Sequence, residues 1–281
     1  MTESVADQLR VPAGGRRLAD VDPRSTPGTD ADKDAARVET ERIGAELADL
    51  QERLWAEGRT GGRRRLLLVL QGMDTSGKGG AVKHVVGSVN PVGVRITGFG
   101  PPTDEERRHD FLWRIERALP PVGTLGVFDR SHYEDVLIVR VHDLVPQTEW
   151  ETRYERINAW EERLTSDGVT LVKVMLHISR EEQRERLLAR IDDPTKHWKV
   201  NPGDVEERRH WAEYQEAYEA VLARCSPAHA PWYVLPADRK WYRNWALSHL
   251  LLETMRGMDL RWPERPDLDL PALRAALEAD T

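Results

Sequence analysis

The chain of 281 residues contains one cysteine, and this scarcity excludes several classes of protein. Cys225 has no second cysteine with which to form a disulfide within the chain, and the sequence lacks a Cys/His cluster with zinc-ligand spacing. No apolar run approaches the roughly 20 residues that span a bilayer. The start of the chain, Thr2–Asp7, also lacks the apolar core of a signal peptide. We therefore expect a cytoplasmic protein that does not bind a membrane.

An excess of positive charge is also lacking. The chain has 48 acidic and 41 basic residues, and its net charge of −7 argues against general nucleic-acid binding. Charged residues still make up 32% of the chain, and the arginines cluster locally. A basic patch on this acidic body can therefore bind a polyanionic ligand. The hydrophobic content of 40% supports a core of one large domain or two small ones.

The most informative motif is a glycine-rich loop that follows a short apolar strand. The strand Arg65–Gln71 leads into a loop with the spacing GxxxxGK over residues 72–78, and a helix-compatible segment begins at Lys78. In such loops the backbone N–H groups converge on phosphate oxygens, and the lysine reaches a bridging oxygen. The residues that we expect to contact phosphate are Gly72, Thr75, Ser76, Gly77, Lys78 and Gly79.

The hydroxyl that usually follows the lysine of such a loop is missing. Gly79 stands where an ordinary P-loop has the Ser or Thr that binds Mg²⁺, and Asp74 lies inside the loop instead. A second apolar strand, Thr124–Phe128, is followed by Asp129, at the point where P-loop proteins place the carboxylate that orients Mg²⁺. We predict that Asp74 and Asp129 share the ion. The alternative is that Asp129 only caps the turn.

Charged residues continue directly after Asp129. The guanidinium of Arg130 can bind two phosphate oxygens at once, although a surface ion pair is the simpler interpretation. Glu134 or Asp135 can polarise an attacking phosphate or contact a nucleotide, but either is equally typical of the acids that begin a helix. Both interpretations stay open at this point.

Strands and helices alternate along the chain. This alternation predicts an α/β fold with a five-stranded parallel sheet covered by helices on both faces, and ligands at the carboxyl ends of the strands. The predicted strands are Arg65–Gln71, Val92–Phe99, Thr124–Phe128, Val169–Ile178 and Trp232–Leu235. The predicted helices are Ala36–Glu57, Lys78–Ser88, Asp104–Leu119, Thr148–Leu164, Arg180–Ile191, Val205–Arg224 and Asp238–Met255.

Two segments near the start have distinct patterns. Residues 1–33 are rich in Pro, Gly, Asp and Arg without periodicity, which is typical of a flexible tail or of an arm that lies on the surface. The first long helix then carries an apolar face that packs on the core or contacts a second subunit. The residues predicted for this face are Val38, Ile43, Leu47, Leu50 and Leu54.

A basic segment follows the fourth strand. A helical wheel over Arg180–Ile191 predicts a buried stripe of Leu187, Leu188 and Ile191, with Arg186 and Arg190 on the opposite side. The Pro/Gly-bounded residues 192–203 add Lys196 and Lys199. This pattern favours a lid that closes over phosphates and excludes water, although a solvated basic helix is a common alternative. Arg184 falls within this predicted apolar stripe, and the pattern does not explain a charged residue at that position.

Two further groups of charged residues have a structural interpretation. The run Asp204–Glu207 resembles a capping box, so Asp204 is expected to begin the next helix. Four arginines in residues 104–119 are expected to lie on a solvated helix face. They are Arg107, Arg108, Arg114 and Arg117.

Taken together, these motifs resemble the family-2 polyphosphate kinases over roughly residues 36–260. The matching runs are Gly72–Gly80, Phe128–Leu137, Glu182–Arg186 with Arg190, Asp193–Lys199 and Ala230–Asp238. The resemblance implies a P-loop kinase fold similar to thymidylate kinase, assembled as a homodimer or homotetramer. It also implies a kinase domain at residues 36–260 with a basic helical lid at about 180–210. Residues 1–35 are then a flexible arm and residues 261–281 a C-terminal extension.

The activity implied by the resemblance is Mg²⁺-dependent, reversible phosphoryl transfer between inorganic polyphosphate and adenine or guanine nucleotides. The run after Arg130 is similar to that of the subclass that converts AMP to ADP and ADP to ATP. The implied metal ligands are Asp74 and Asp129, and the implied phosphate-binding lysine is Lys78. The implied lid cations are Arg186, Arg190, Lys196 and Lys199.

Three other functions share some of these features. An ATP-dependent nucleoside monophosphate kinase has the same fold and differs in its preferred donor. A regulatory NTPase hydrolyses nucleotide slowly without an acceptor. A non-catalytic polyphosphate-binding module tolerates the loss of Lys78.

Overall fold

A five-stranded parallel sheet forms the centre of the protein in the computed structural model, which describes residues 3–280. All four strand pairings are parallel, and the order across the sheet is β2-β3-β1-β4-β5. The strands are β1 (Arg65–Gln71), β2 (Val94–Gly98), β3 (Leu125–Asp129), β4 (Val169–His177) and β5 (Trp232–Pro236). Each predicted strand is present, and its ends lie within two residues of the predicted ones.

Eleven α-helices are described around this sheet. Helix α10 contacts both α2 and α3, and α5 contacts both α6 and α9. The helices are α1 (Val5–Leu9), α2 (Lys33–Arg59), α3 (Lys78–His84), α4 (Trp113–Ala118), α5 (Ile138–Val141), α6 (Gln147–Ser166), α7 (Arg180–Ile191), α8 (Gly203–Glu207), α9 (Trp211–Arg224), α10 (Lys240–Gly257) and α11 (Leu270–Ala279). In the described part of the chain, none of these helices is long and apolar enough to cross a membrane.

The central strands are almost wholly apolar because both faces of the sheet are covered. Residues 66–70 of β1 are all fully buried leucine or valine. This continuous apolar run made β1 easy to predict. It also places the loop that follows β1 at the carboxyl edge of the sheet, where open α/β sheets bind their ligands.

Two predicted helices are shorter than expected. The segment 104–119 contains only a 3-10 turn, Glu106–Arg108, and the short helix α4. Between them, the side chain of Asp110 accepts a hydrogen bond from the backbone N–H of Leu112 at 3.0 Å, which replaces a helical bond. The predicted helix Val205–Arg224 is likewise divided into α8, a 3-10 turn and α9.

The predicted apolar face of α2 is correct except at one position. Ile43, Leu47, Leu50 and Leu54 are buried, but Val38 is 61% exposed. Val38 lies five residues before Ile43 and therefore about 140° around the helix from it. The prediction for Val38 was wrong because this angle takes it off the buried stripe.

Residues near the start of the chain lie on the domain surface. Val5, Leu9 and Val11 are buried, and the backbone N–H of Val11 donates to the carbonyl of Trp232 at 2.9 Å. This contact covers the free edge of β5, which otherwise exposes unpaired backbone groups. Residues 5–11 therefore lie against the domain, and the flexible arm at residues 1–35 stays a prediction. The division of the chain at residues 36 and 260 stays a prediction.

Candidate active site

Positive φ angles shape the backbone of the glycine-rich loop between β1 and α3. Gly72, Thr75 and Gly77 have φ values of 144°, 62° and 105°, and Gly77 directly precedes α3. The Nζ atom of Lys78 donates to the carbonyl of Gly72 at 2.9 Å, so the lysine closes over its own loop. Burial lowers the pKa of Lys78, and the charges of Asp129 and Asp74 oppose this shift.

Gly77 has a steric as well as a conformational requirement. A Cβ atom at this position lies 2.0 Å from Nη1 of Arg243. We therefore expect Gly77→Ala to distort the loop and to lower kcat/KM by at least about 10²-fold, as in other misaligned active sites. Gly87 has a single neighbour at 3.8 Å and no positive φ, so Gly87→Ala is the matched control. Steady-state kinetics of both variants test this, and equal activity of the two contradicts the steric argument.

The strand pairing brings the second predicted motif to the same place. Asp129 lies opposite Leu70 in the β1–β3 register, so the ends of the two strands are adjacent. Arg130 has φ of 65° and donates from Nη2 to Oδ1 of Asp74 at 3.1 Å. The following turn is capped by Ser131. The structure thus brings Asp74, Lys78, Asp129 and Arg130 together, as predicted.

These residues border a polar cavity of about 630 Å³. Four cationic side chains line it, and they come from the start of α3, the end of β3, helix α7 and the turn after α7. They are Lys78, Arg130, Arg190 and Lys199. This positive lining on a protein of net negative charge is suited to a polyanion.

Arg186 does not line this cavity, and its environment differs from the predicted one. Its side chain is 8% exposed, and all five of its N–H groups donate hydrogen bonds. The acceptors are the Glu182 carboxylate and the carbonyls of Thr75, Ser76, Ala237 and Asp238. Arg186 therefore fastens the phosphate loop to the end of β5, and it is not a free cation of the lid.

The orientation of α7 explains this difference. Gln183 and Arg186 form its buried stripe, whereas Leu188 and Ile191 are 42% and 54% exposed. The predicted leucine stripe was wrong because the helix packs on the polar backbone of the phosphate loop rather than on the apolar core. Arg184 is exposed and needs no partner in the core.

Arg186 and Arg190 should therefore behave differently when replaced. We expect Arg186→Ala to leave buried carbonyls unpaired, to cost about 3–5 kcal/mol and to lower the unfolding temperature by about 10 °C. Arg190→Ala should lower the unfolding temperature less, because the contacts of Arg190 are longer, at 3.6 Å to Asp204 and 3.5 Å to the carbonyl of Lys199. Scanning calorimetry of the two variants tests this. Equal stabilities contradict the bracing role of Arg186.

The lid residues after α7 are only partly where the sequence predicted them. Lys199 lines the polar cavity and lies 4.7 Å from the centre of the Trp198 ring. Lys196 instead forms an ion pair with Asp193 at 2.7 Å and does not line the cavity. Lys196 is therefore not one of the cations of the polar cavity in this structure.

Asp204 lies in the polar cavity, where the sequence predicted a cap. It is buried, and its carboxylate is 3.6 Å from Arg190. Helix α8 already begins at Gly203, with no side-chain cap. Burial raises the pKa of Asp204, and the nearby charge of Asp74 adds to this shift.

A second cavity of about 760 Å³ adjoins the first. The two share Phe99, Gly100 and Arg130. The second cavity has apolar walls that include Phe111, Ile138, Val139, Leu144 and Val145, and it is also lined by Arg107, Arg114, Arg153 and Arg156. An apolar cleft with a few charged groups is the usual form of a small-molecule site.

Glu134 and Asp135 both line the second cavity. Burial raises the pKa of Glu134, and the charges of Arg130 and Lys78 oppose this shift. Burial also raises the pKa of Asp135 to about 6, although Arg153 lies 2.9 Å from its carboxylate. Asp135 belongs to this pair with Arg153, whereas the charge of Arg130, which lines both cavities, acts on Glu134.

Sequence reasoning missed the arginines of the second cavity. Arg107 and Arg114 were expected on a solvated helix face, and Arg153 and Arg156 of α6 were not considered. Arg114 donates to the carbonyl of Gly100 at 2.9 Å, and Arg153 lies 5.0 Å from the centre of the Phe111 ring. These contacts join segments that are distant in the sequence, so no local pattern indicates them.

The polar cavity offers oxygen ligands for a hard cation. Asp74 and Asp129 both line it, and the hydroxyls of Thr75 and Ser76 are buried without a hydrogen-bond partner. Within residues 3–280, no three His, Cys, Asp or Glu side chains are grouped so as to hold a metal by themselves. The site therefore suits an ion that takes few protein ligands and also binds phosphate oxygens and water, as Mg²⁺ does.

The fold and the site define a P-loop protein, with a phosphate loop after β1 and a carboxylate at the end of the neighbouring strand β3. The family profile of polyphosphate kinase 2 (PPK2) matches residues 30–263. The chain therefore belongs to the polyphosphate kinase 2 family, as its sequence motifs predicted.

Similar proteins come from several bacteria. The AMP/ADP-polyphosphate phosphotransferase of Meiothermus ruber is 47% identical over 258 residues, which cover 92% of this chain and 95% of the relative. The ADP-polyphosphate phosphotransferase of Rhodopseudomonas palustris is 42% identical, over 81% and 80% of the two chains. The crystal structure of polyphosphate kinase 2 from Arthrobacter aurescens TC1 superposes with a TM-score of 0.96 at 51% identity. That match covers 99% of this chain and 98% of the other.

Proposed function

We propose that this protein catalyses reversible phosphoryl transfer between inorganic polyphosphate and nucleotides, converting AMP to ADP and ADP to ATP. The observation that carries the proposal is the pair of adjoining cavities, one polar and cationic and the other largely apolar, which meet at Arg130. The names of the Meiothermus ruber and Rhodopseudomonas palustris relatives support the same substrates.

The chemistry of each cavity suggests its ligand. The cationic cavity beside the phosphate loop suits the polyphosphate chain, since Lys78, Arg190 and Lys199 offer charge along its walls. The apolar cavity suits the base and ribose of the nucleotide. The nucleotide phosphates then point toward Arg130, where the two cavities join. This arrangement aligns donor and acceptor for transfer.

The acceptor needs no general base in this reaction. A phosphate oxygen of AMP or ADP is already ionised at neutral pH, and it attacks the terminal phosphorus of polyphosphate. One phosphoanhydride bond breaks, one forms, and the shortened polyphosphate keeps the electron pair of the broken bond. Lys78 and Arg130 neutralise charge on the transferred group.

Asp74 and Asp129 are the residues that would hold Mg²⁺, and Thr75 and Ser76 line the same cavity. When bound there, the ion would supply charge neutralisation between the phosphate groups. Asp74 also orients Arg130 through their 3.1 Å ion pair. Gly77 and Gly79 line the polar cavity and present backbone N–H groups to phosphate. Gly72, which was predicted to contact phosphate, instead donates its N–H to the hydroxyl of Tyr218 at 3.1 Å.

Several finer points stay predictions. The homodimer or homotetramer, the adenine or guanine base, and the cytoplasmic location belong to this proposal. Glu134 is assigned to the acceptor phosphate because it lines the apolar cavity together with Arg130.

Nucleotide chromatography tests the proposal directly. The protein is mixed with Mg²⁺, long-chain polyphosphate and either AMP or ADP, with parallel reactions that contain EDTA or omit polyphosphate. ADP followed by ATP from AMP supports both the donor and the two acceptors. If ATP forms from ADP but AMP does not react, polyphosphate is still the donor and AMP is not an acceptor. Transfer from ATP but not from polyphosphate instead identifies a nucleoside monophosphate kinase.

A further inference from the structure

A second buried arginine lies directly behind the phosphate loop. Arg243 on α10 is 3% exposed. A Cβ atom on Gly77 would lie 2.0 Å from its Nη1, and one on Gly80 would lie 2.8 Å from its Nη2. Both glycines line the polar cavity. The guanidinium therefore packs against the back of the same backbone whose front surrounds the proposed polyphosphate.

The charge of Arg243 is not balanced by an acid. Its Nε and Nη2 both donate to Oδ1 of Asn244, at 3.1 Å and 2.8 Å. Across residues 3–280 it forms no ion pair, and the charge that acts on it is the cation of Arg186. Burial, with Arg186 beside it, lowers the pKa of Arg243 to about 10, so it remains charged at neutral pH.

Arg186 shows what a bracing arginine looks like in the same region. It has a carboxylate partner in Glu182 at 2.8 Å and uses every N–H group in hydrogen bonds. Arg243 contacts the loop without donating a hydrogen bond to any of its carbonyls. Burying an uncompensated charge costs free energy in the ligand-free protein, which is repaid only when an anion is nearby.

We propose that Arg243 is an electrostatic determinant of polyphosphate affinity, which raises the positive potential of the phosphate loop from behind without contacting the ligand. The inference rests on the proposed function for the identity of the anion. Gly77 and Gly80 then have a second role beyond loop conformation, because the absence of their side chains lets the guanidinium approach the loop.

The test compares Arg243→Met, which is neutral and unbranched, with Arg243→Lys, which keeps the charge. Titration calorimetry measures binding of polyphosphate of one chain length to each full-length variant without nucleotide. We expect Arg243→Met to weaken binding about 10-fold, the effect of a unit charge acting over roughly 10 Å at an effective dielectric of about 20. Arg243→Lys should stay within about 3-fold of the wild type, since the charge is kept.

Two further readouts separate this role from a structural one. Without ligand, Arg243→Met should unfold at the same or a higher temperature than the wild type, because it removes an unpaired buried charge. Its KM for ADP should change less than about 2-fold, since Gly77 and Gly80, against which Arg243 packs, line the polar cavity and not the apolar one. Arg65→Met is the control: it loses the 3.0 Å ion pair with Asp167 at the other end of β1. It should be less stable and bind polyphosphate normally.

Each other outcome overturns the inference. Normal polyphosphate binding by Arg243→Met shows that the charge does not act on the ligand. If Arg243→Met and Arg243→Lys both bind polyphosphate more weakly and both unfold at a lower temperature, Arg243 is a structural brace like Arg186. If the wild type itself fails to bind polyphosphate, the proposed function fails and this inference with it.

Discussion

Replacing Lys78 with alanine should lower kcat by at least about 10²-fold, the scale typical of losing one preorganised charge in an active site. The Nζ atom of Lys78 lies 2.9 Å from the carbonyl of Gly72 and lines the polar cavity. Its charge is therefore held in place before any substrate arrives. The alanine variant loses this charge where the transferred phosphoryl group becomes more negative. Initial rates of ATP formation from polyphosphate and ADP measure the effect.

Lys83→Ala is the matched control for this prediction. Lys83 lies on the same helix, α3, but is exposed near its end and does not line either cavity. Its replacement should leave kcat within about 2-fold, since exposed charges contribute little. Near-normal turnover of Lys78→Ala would remove the lysine from the reaction. If Lys78→Ala binds polyphosphate but does not turn it over, Lys78 acts in catalysis rather than in binding.

Loss of the Asp129 carboxylate should have an effect of similar size. Asp129 ends β3 beside the phosphate loop and lines the polar cavity. We expect Asp129→Ala to lower kcat by at least about 10²-fold and to raise the Mg²⁺ concentration needed for half-maximal activity. Titration of activity with Mg²⁺ at fixed polyphosphate and ADP measures both changes.

Two variants sharpen the test of Asp129. Asp129→Asn keeps an oxygen ligand but loses the charge, so its activity should lie between those of the wild type and the alanine variant. Asp167→Ala removes an exposed carboxylate at the opposite end of the sheet, where it pairs with Arg63 and Arg65, and should leave the Mg²⁺ dependence unchanged. An unchanged Mg²⁺ requirement in Asp129→Ala would assign the metal to other ligands.

The cationic cavity owes its charge to residues of two kinds. Lys78 begins α3 directly after the phosphate loop, and Arg130 directly follows β3, so the positions of both follow from the sheet itself. Arg190 and Lys199 come from the lid segment, whose position depends on how α7 packs. We therefore expect substitutions in the first pair to change kcat, and substitutions in the second pair to change mainly the KM for polyphosphate.

Local sequence patterns determined the centre of the fold and the reacting end of the site. The apolar strands β1 and β3, the loop spacing and Asp129 can each be recognised from a few neighbouring residues. Because parallel strands end at one edge of a sheet, it followed that Asp74, Lys78, Asp129 and Arg130 would meet there. The family resemblance rested on these same runs, and the comparisons confirmed it.

The tertiary structure alone decided the roles of residues whose partners are distant in the chain. Arg186 has the periodicity of a lid cation, but its partner Thr75 is 111 residues away, and the packing of α7 on that loop buries it. Asp204 has the local pattern of a cap, and the path of the chain after α7 places it in the cavity instead. The second cavity and the position of Arg243 behind Gly77 also depend on contacts between distant helices and loops. Periodicity identifies which residues share a face, whereas only packing decides what that face contacts.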